Sequence, residues 1–402
     1  MLRFKRKIIF AASLIILGAC SNMNHKQNNN SLNKDKTNII QSNIENTREN
    51  ITTPNSQNEH NSNSVVKKIR GEYKLPNNTP AFIADFIKNN PEIGQPDKIA
   101  ELLMQQTSNE QVIKLISPAS QPLRKNWLVY RSKFVEPMRI KAGVNFWKEN
   151  SALLKKIEEE FKVDAHIIVG IIGVDSIFGR NMGNFDVLNT LYTLSFYYPN
   201  TPNKKEREQM FQKQLASYIV WNQSNNSDNS NIAINSSNYN HTGSFAGAMG
   251  MPQFMPISIQ KYAIDYDKDG IINLSSSIPD VLASVANFLK QHGWKAGEKV
   301  ILDVNKTPEN IALLKANATG KPKPALTFKD LPSLNFNYTN YGLSADTKIL
   351  VVDLPSGSDI EYKIGLENFY VLTRYNQSFF YALSVYELGN SMGSMSLVNS
   401  SN

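Results

Sequence analysis

The chain has a single cysteine, Cys20, in 402 residues, so no disulfide can form within it and cysteine usage carries no redox information. No cluster of Lys and Arg interleaved with aromatics is present, which removes a nucleic-acid reading. The N-terminal apolar run, Ile8 to Leu17, is about half of the ~20 residues that cross a bilayer. Residues 21–66 are nearly devoid of aromatics and rich in Asn, Ser, Gln and Thr. Such a stretch cannot bury enough apolar surface to offset its ordering entropy, so it reads as a tether.

The remainder is ordinary for a globular protein, with 41% hydrophobic residues. Net charge is +8; Arg3, Lys5, Arg6 and Lys7 account for four of these charges, leaving +4 without them. That weak positive balance suits an anionic cell-wall polymer or membrane surface without demanding one. The basic start, the short apolar run and Leu17-Gly18-Ala19-Cys20 have signal-peptide architecture. Small residues before a lone cysteine resemble a bacterial lipoprotein processing site that lipidates Cys20, the alternative being a short anchor helix with an incidental cysteine. Ser21, rather than Asp, after the cysteine favours the outer membrane by resemblance to lipoprotein sorting rules.

From Tyr73 the chain reads as largely helical. Amphipathic or apolar helices are expected over 80–89, 98–106, 187–198, 206–221, 279–291 and 379–388. Aromatics recur at helical spacing over 126–134 and 139–149, and 145–161 reads as one amphipathic helix. Asp164 is placed to cap the apolar stretch 163–178, and Gly179 to stop it. Gly170 and Gly173, three apart, imply close approach by another element. Asn222 to Asn240 reads as a surface loop. Lys299 to Val304 and Thr347 to Asp353 read as strands of a small β subdomain over about 297–362, joined by segments such as Gly320 to Pro324. The chain then returns to the helical body from 363, and the small, polar residues after Gly389 are expected to fray.

Three stretches carry candidate chemistry. The first is Ile171-Ile172-Gly173-Val174-Asp175-Ser176-Ile177-Phe178-Gly179-Arg180. Apolar surroundings and the negative end of the helix both disfavour an ionised Asp175. A carboxyl held protonated near neutral pH is what a general acid needs. The plainer reading is a carboxylate that hydrogen-bonds a neighbouring turn. The second is the glycine-dense segment 243–256, where Ser244 and Gln253 set hydrogen-bonding groups beside aromatics, suited to sugar rings or else to a tight packing turn. The third is Asp265-Tyr266-Asp267-Lys268-Asp269-Gly270-Ile271-Ile272, the first half of a calcium loop. It has Ser276 at the usual closing position and Asp280 four residues beyond; the alternative is an Asx-rich turn with no ion.

In order along the chain, 171–183, 193–199, 243–256, 265–274, 284–294 and 368–376 resemble the membrane-bound lytic murein transglycosylase B family. The resemblance covers roughly residues 75–390. It implies a mainly α fold: a lysozyme-like α domain (67–296), a small antiparallel β subdomain (297–362) and an EF-hand-like calcium loop. It implies a lipid-anchored, monomeric enzyme on the periplasmic face of the outer membrane. Its reaction would cleave the β-1,4 bond between N-acetylmuramic acid and N-acetylglucosamine of peptidoglycan glycan strands, leaving 1,6-anhydro ends. Carried over by position, Asp175 is the acid/base. Ser244 and Asn376 bond around the reacting sugar; Gln253, Phe288 and Tyr375 line the groove. Asp265, Asp267, Asp269 and the Ile271 carbonyl hold Ca2+, with Asp280 closing the loop. The family has Glu where this chain has Asp175, about 1 Å or more shorter in reach; a misplacement of that size can cost ~100-fold. A groove that binds glycan without turning it over, or a purely structural lipoprotein, are the competing readings.

Overall fold

A computed structural model of the protein describes residues 74–119, 124–225 and 239–400, with side chains up to 394. Cys20, the leader and the tether lie outside the described residues, as do 226–238 of the expected surface loop.

The organising element is a helix of almost unbroken apolar sequence. The first half of the helical body runs α1 Ala81–Asn89, α2 Pro96–Met104, α3 Glu110–Ile116, α4 Trp127–Phe134, α5 Pro137–Glu149, α6 Ser151–Phe161 and α7 Ala165–Ser176. It continues through α8 Val187–Phe196, α9 Lys204–Asn225, α10 Pro256–Tyr262 and α11 Ile278–Gln291. Every residue of α7 except His166 and Asp175 is buried. A helix apolar all round has to be enclosed by other elements, and α7 is.

The closest of these neighbours is the C-terminal helix α14, Phe379–Ser400. A Cβ on Gly170 would lie 2.5 Å from the Val385 carbonyl oxygen, and one on Gly389 would lie 2.3 Å from that of His166. The two helices therefore touch backbone to backbone. The tail expected to fray from Gly389 is instead helical through Ser400, and Met392 is fully buried. The small residues there are what permits that approach.

Other local expectations also shift. The single helix over 145–161 is two, because Asn150 leaves helical geometry between α5 and α6 and its side-chain amide bonds the Phe146 carbonyl. Asp164 sits at the N-cap of α7 but makes no capping bond. Its carboxylate accepts from Trp294 Nε1 at 2.8 Å and Gly297 N at 3.4 Å, while Glu158 Oε1 accepts from Ala165 N. Asp164 thus ties α7 to the segment after α11. The helix stops at Ile177, two residues before Gly179. Ile177, Phe178 and Gly179 all adopt left-handed backbone (φ 54°, 57° and 82°). Such geometry costs a non-glycine residue ~1–3 kcal/mol. Its return is the seat of the Phe178 ring, which packs against Phe146 and fills the space left open by Gly143 and Gly173.

Two small sheets complete the fold. The ribbon of β1, Phe185–Asp186, and β2, Thr242–Gly243, pairs Phe185 with Gly243. It joins the segment after α7 to the start of the glycine-dense stretch. The second sheet holds β3 Ile301–Asp303, β4 Leu326–Thr327, β5 Lys348–Ser356 and β6 Asp359–Gly365 in the antiparallel order β3-β6-β5-β4. With α12, Pro308–Asn317, it encloses a core of its own around Leu302, Leu314, Phe328, Ile349 and Ile364. Strand β6 runs to Gly365, three residues beyond the expected limit, and α13, Glu367–Tyr375, leads back to α14.

Candidate active site

Asp175 sits in the last turn of α7, half-buried, on the wall of a cleft. Phe134 and Val174 flank it; Gln253, Phe254 and Met255 come from the glycine-dense stretch, Phe288 from α11, and Tyr375, Asn376 and Tyr381 from the C-terminal segment. Four separated stretches thus meet α7 around one carboxyl group.

Packing around that group raises its pKa to about 8. Burial is the dominant cause; the Tyr381 hydrogen bond and the Arg139 charge act the other way. Tyr381 Oη donates to Asp175 Oδ2 at 2.8 Å, which leaves Oδ1 to carry the proton. Near neutral pH the carboxyl is mostly protonated yet within reach of ionisation, as one group serving first as acid and then as base requires.

The sequence pattern has the negative end of the helix adding to the upward push. The structure seats a cation there instead. Arg139 of α5 is buried, and its Nη1 donates to the Gly173 and Val174 carbonyls at 2.6 and 3.2 Å. It covers orphan carbonyls of the last turn of α7 and offsets the dipole beneath Asp175. Burial of Tyr375 and Tyr381, together with the nearby Asp175, holds both phenols well above their ordinary pKa. Their rings are stacked 6.2 Å apart. These tyrosines therefore stay neutral and keep their hydroxyl protons to donate.

Of the residues expected at the site, Gln253, Phe288, Tyr375 and Asn376 line the cleft with Asp175. Gln253 adopts left-handed backbone (φ 49°), and its Nε2 donates to the Met182 and Gly250 carbonyls. That pins the stretch to the segment following α7. Tyr375 Oη donates to the Pro252 carbonyl at 2.6 Å. Asn376 Oδ1 is buried with no hydrogen-bond partner among the described residues, an acceptor awaiting a donor. Ser244 is not brought to the cleft lining; its Oγ accepts from the amides of Ala246 and Ala248 and shapes the turn. Tyr381 and Arg139 are the residues that sequence reasoning missed. The only hint of Tyr381 is one hydroxyl in the apolar run 379–383, and Arg139 sits in a helix read only for its aromatics.

Replacing Tyr381 by Phe removes a bond that favours the ionised carboxyl. The pH limb set by Asp175 then moves upward from about 8; a shift of about one unit matches the ~1.4 kcal/mol of such a bond. A pH–rate profile that stays in place would show that Tyr381 does not control this proton.

The acidic loop brings together three carboxylates. Asp265, Asp267 and Asp280 have oxygens within 4.8 Å of one another, and Asp280 is fully buried. Asp280 accepts from the amides of Tyr266 and Asn273, which holds both ends of the loop. Asp265 Oδ1 is buried without a hydrogen-bond partner among the described residues. A buried acid beside an orphaned carboxylate oxygen fits a hard divalent cation. Asp269 is turned to the backbone, accepting from Ile271 N, and the Ile271 side chain is exposed.

Comparison with known proteins gives consistent matches. The family model described as the transglycosylase SLT domain matches residues 81–390. Membrane-bound lytic murein transglycosylase B of Escherichia coli (strain K12) is 32% identical over 339 residues, covering 81% of this chain and 86% of its own. The soluble lytic transglycosylase SltB1 of Pseudomonas aeruginosa is similar in structure, with a TM-score of 0.65 and 33% identity over 78% of this chain and 97% of its own. The Escherichia coli lytic transglycosylase Slt35, solved in complex with calcium, gives a TM-score of 0.64 and 31% identity over 81% of this chain and 96% of its own.

Proposed function

The chain belongs to the transglycosylase SLT domain family and is a peptidoglycan lytic transglycosylase, and from that premise we propose that Asp175 is its acid/base. The reaction cleaves the β-1,4 bond between N-acetylmuramic acid and N-acetylglucosamine without water as nucleophile. Asp175, protonated, gives its proton to the leaving glycosidic oxygen. The resulting carboxylate then takes the proton of the C6 hydroxyl as that oxygen closes on C1, and a 1,6-anhydro end forms. One carboxyl does both jobs, so the second carboxylate of most glycosidases is not needed. The observation that carries this reading is a cleft-facing carboxyl with a pKa of about 8, held by Tyr381 and balanced by Arg139. Gln253, Phe254, Phe288, Tyr375 and Asn376 supply a wall of aromatic faces and amide groups for the saccharide.

Digesting purified peptidoglycan with the protein and analysing the products by mass spectrometry tests the proposal. Muropeptides ending in 1,6-anhydro-N-acetylmuramic acid are expected. Reducing ends alone would mean hydrolysis and would remove the single-carboxyl scheme. The acid form is required, so cleavage is expected to fall as pH rises through about 8.

Asp265, Asp267 and Asp280 would hold Ca2+, whose charge would offset the repulsion among three closely spaced acids, one of them, Asp280, buried. A ligand that binds only the folded state stabilises it. Millimolar Ca2+ is expected to raise the melting temperature by several degrees, and Asp280→Asn to abolish that rise. An unchanged melting temperature would leave the loop as a turn without an ion. Cys20 would carry the lipid that tethers the domain through residues 21–66 to the periplasmic face of the outer membrane. Among the described residues no helix is long and apolar enough to cross a membrane.

A further inference from the structure

The cleft chemistry leaves one face of the helical body unused. The three most exposed large hydrophobic side chains among the described residues are Met138 (79%), Leu128 (63%) and Val129 (55%). All three fall within eleven residues of sequence. Single exposed aliphatics are ordinary, whereas a cluster of them marks a contact surface. Local structure explains why they face outward. Trp127, Tyr130 and Phe134 take the inner face of α4; the first two pack against Phe380, and Phe134 lines the cleft. The helical period then turns Leu128, Val129, Ser132 and Lys133 to solvent. Glu136 caps α5 by accepting from Met138 N and Arg139 N. Arg139 Nη2 donates to the Lys133 carbonyl at 3.3 Å, which fixes the start of α5 against the end of α4. The aliphatic side chains are thus presented by two joined helices.

The charges around them have one sign. Between Glu110 and Glu149 the only acid is Glu136, and both of its oxygens are taken up by the cap. Arg124, Lys125, Lys133 and Lys141 are exposed. None of the four forms an ion pair among the described residues. Arg131, between them, is held by Glu387 of α14.

Aliphatic side chains ringed by unpaired cations fit one chemistry. Sugars call for aromatic faces and hydrogen-bonding groups, such as the cleft supplies, and Leu, Val and Met offer neither. An anionic phospholipid surface offers acyl chains to the aliphatics and phosphates to the cations. Lysine suits that boundary, because its stem lies along apolar surface while its head stays in water. We propose that α4 and the first turn of α5 seat the protein on an anionic phospholipid bilayer. Leu128, Val129 and Met138 enter the acyl boundary; Arg124, Lys125, Lys133 and Lys141 meet the phosphates. This contact goes beyond an anchor on Cys20, which restrains distance alone. The same two helices supply Phe134 to the cleft and Arg139 beneath Asp175, so the seat sets how the cleft is oriented above the bilayer.

The test uses residues 21–402, which keep every described residue and carry neither leader nor lipid. Vesicles of phosphatidylcholine with about one third phosphatidylglycerol are expected to sediment it about tenfold better than phosphatidylcholine alone, a preference lost in high salt. Leu128→Ser with Met138→Ser is expected to weaken that binding about tenfold. Lys125→Glu with Lys133→Glu removes both the binding and its salt dependence. Circular dichroism reports an intact fold in each. Residues 21–402 hold no cysteine, so Met138→Cys takes a polarity-sensitive fluorophore at one place. Its emission shifts to the blue on anionic vesicles, while the same dye at Ile360→Cys, on β6, keeps its emission. Binding at parental strength by both double variants overturns the proposal, as does equal capture by neutral vesicles. If the variants instead lose a homodimer seen by analytical ultracentrifugation, or attachment to purified peptidoglycan, the face has another occupant and the proposal fails. A lipid on Cys20 is read separately, from the mass of the mature protein, so failure of the anchor is not mistaken for failure of this face.

Discussion

Asp175→Asn is expected to lower formation of 1,6-anhydro ends by about a thousandfold or more, within the range of general acid–base contributions. An amide of the same size keeps the Tyr381 contact but can neither give nor take the proton. The same variant is expected to be more stable than the parent at neutral pH. The folded-state pKa of Asp175 is raised from its ordinary value of 3.8 to about 8, so between those values the unfolded chain ionises more readily than the folded one. The contribution of this group to stability is fullest below pH 4 and declines as pH rises through that window. Asn has no such linkage, so its gain in melting temperature over the parent should grow from pH 4 to 8 and then level off. A variant that loses activity and melts lower throughout would mark Asp175 as a structural residue. The companion change, Asp175→Glu, lengthens the side chain by one methylene, to the reach that the resemblance implies for the acid, and is expected to speed cleavage by up to ~100-fold. If the parent makes no anhydro product and the Glu variant does, the cleft is intact and the protein is a glycan binder.

Gly389→Ala is expected to destabilise the fold by about 2–4 kcal/mol, read from chemical denaturation. Helix propensity alone gives the opposite sign, since Ala is favoured over Gly by ~1 kcal/mol inside a helix. Geometry decides. The new Cβ would lie 2.3 Å from the His166 carbonyl oxygen, and a backbone atom in the first turn of α7 cannot move aside alone. The loss is expected to reach activity as well, because α14 carries Tyr381 and α7 carries Asp175. Gly143 provides the contrast. A Cβ there meets first the Sδ of Met392, at 1.9 Å, the far end of a flexible side chain. Gly143→Ala should therefore cost less than Gly389→Ala. Equal losses would mean that propensity and local strain, not the α7–α14 contact, control this crossing.

These two predictions differ in how far the sequence anticipates them. Asp175 is legible because a single acid inside a long apolar run is conspicuous, and desolvation needs no knowledge of which residues surround it. The acidic loop is legible because its acids are close in sequence, and Asp280, four positions past the usual closing site, joins the cluster. The paired glycines of α7 announce a close neighbour without saying which one. It proves to be the tail that composition alone marked for fraying. Small residues are compatible with both outcomes, and only the partner helix distinguishes them.

The local chain determined the helical character of the body, the carboxyl in its apolar run, the spacing of the acidic loop and the order of the motifs that mark the family, since each depends on residues a few positions apart. The tertiary structure decided the rest. Tyr381 reaches Asp175 across 206 positions and Arg139 reaches Gly173 across 34, distances over which no periodicity carries information. It stopped α7 at Ile177 rather than Gly179, because the seat for Phe178 between two glycines outweighs local backbone strain. It also turned Ser244 inward and left the side-chain Oδ1 of Asn376, at the cleft, without a hydrogen-bond partner among the described residues. The proton balance of Asp175 likewise belongs to the fold: burial pushes it up, and a tyrosine and an arginine from distant elements hold it near neutrality.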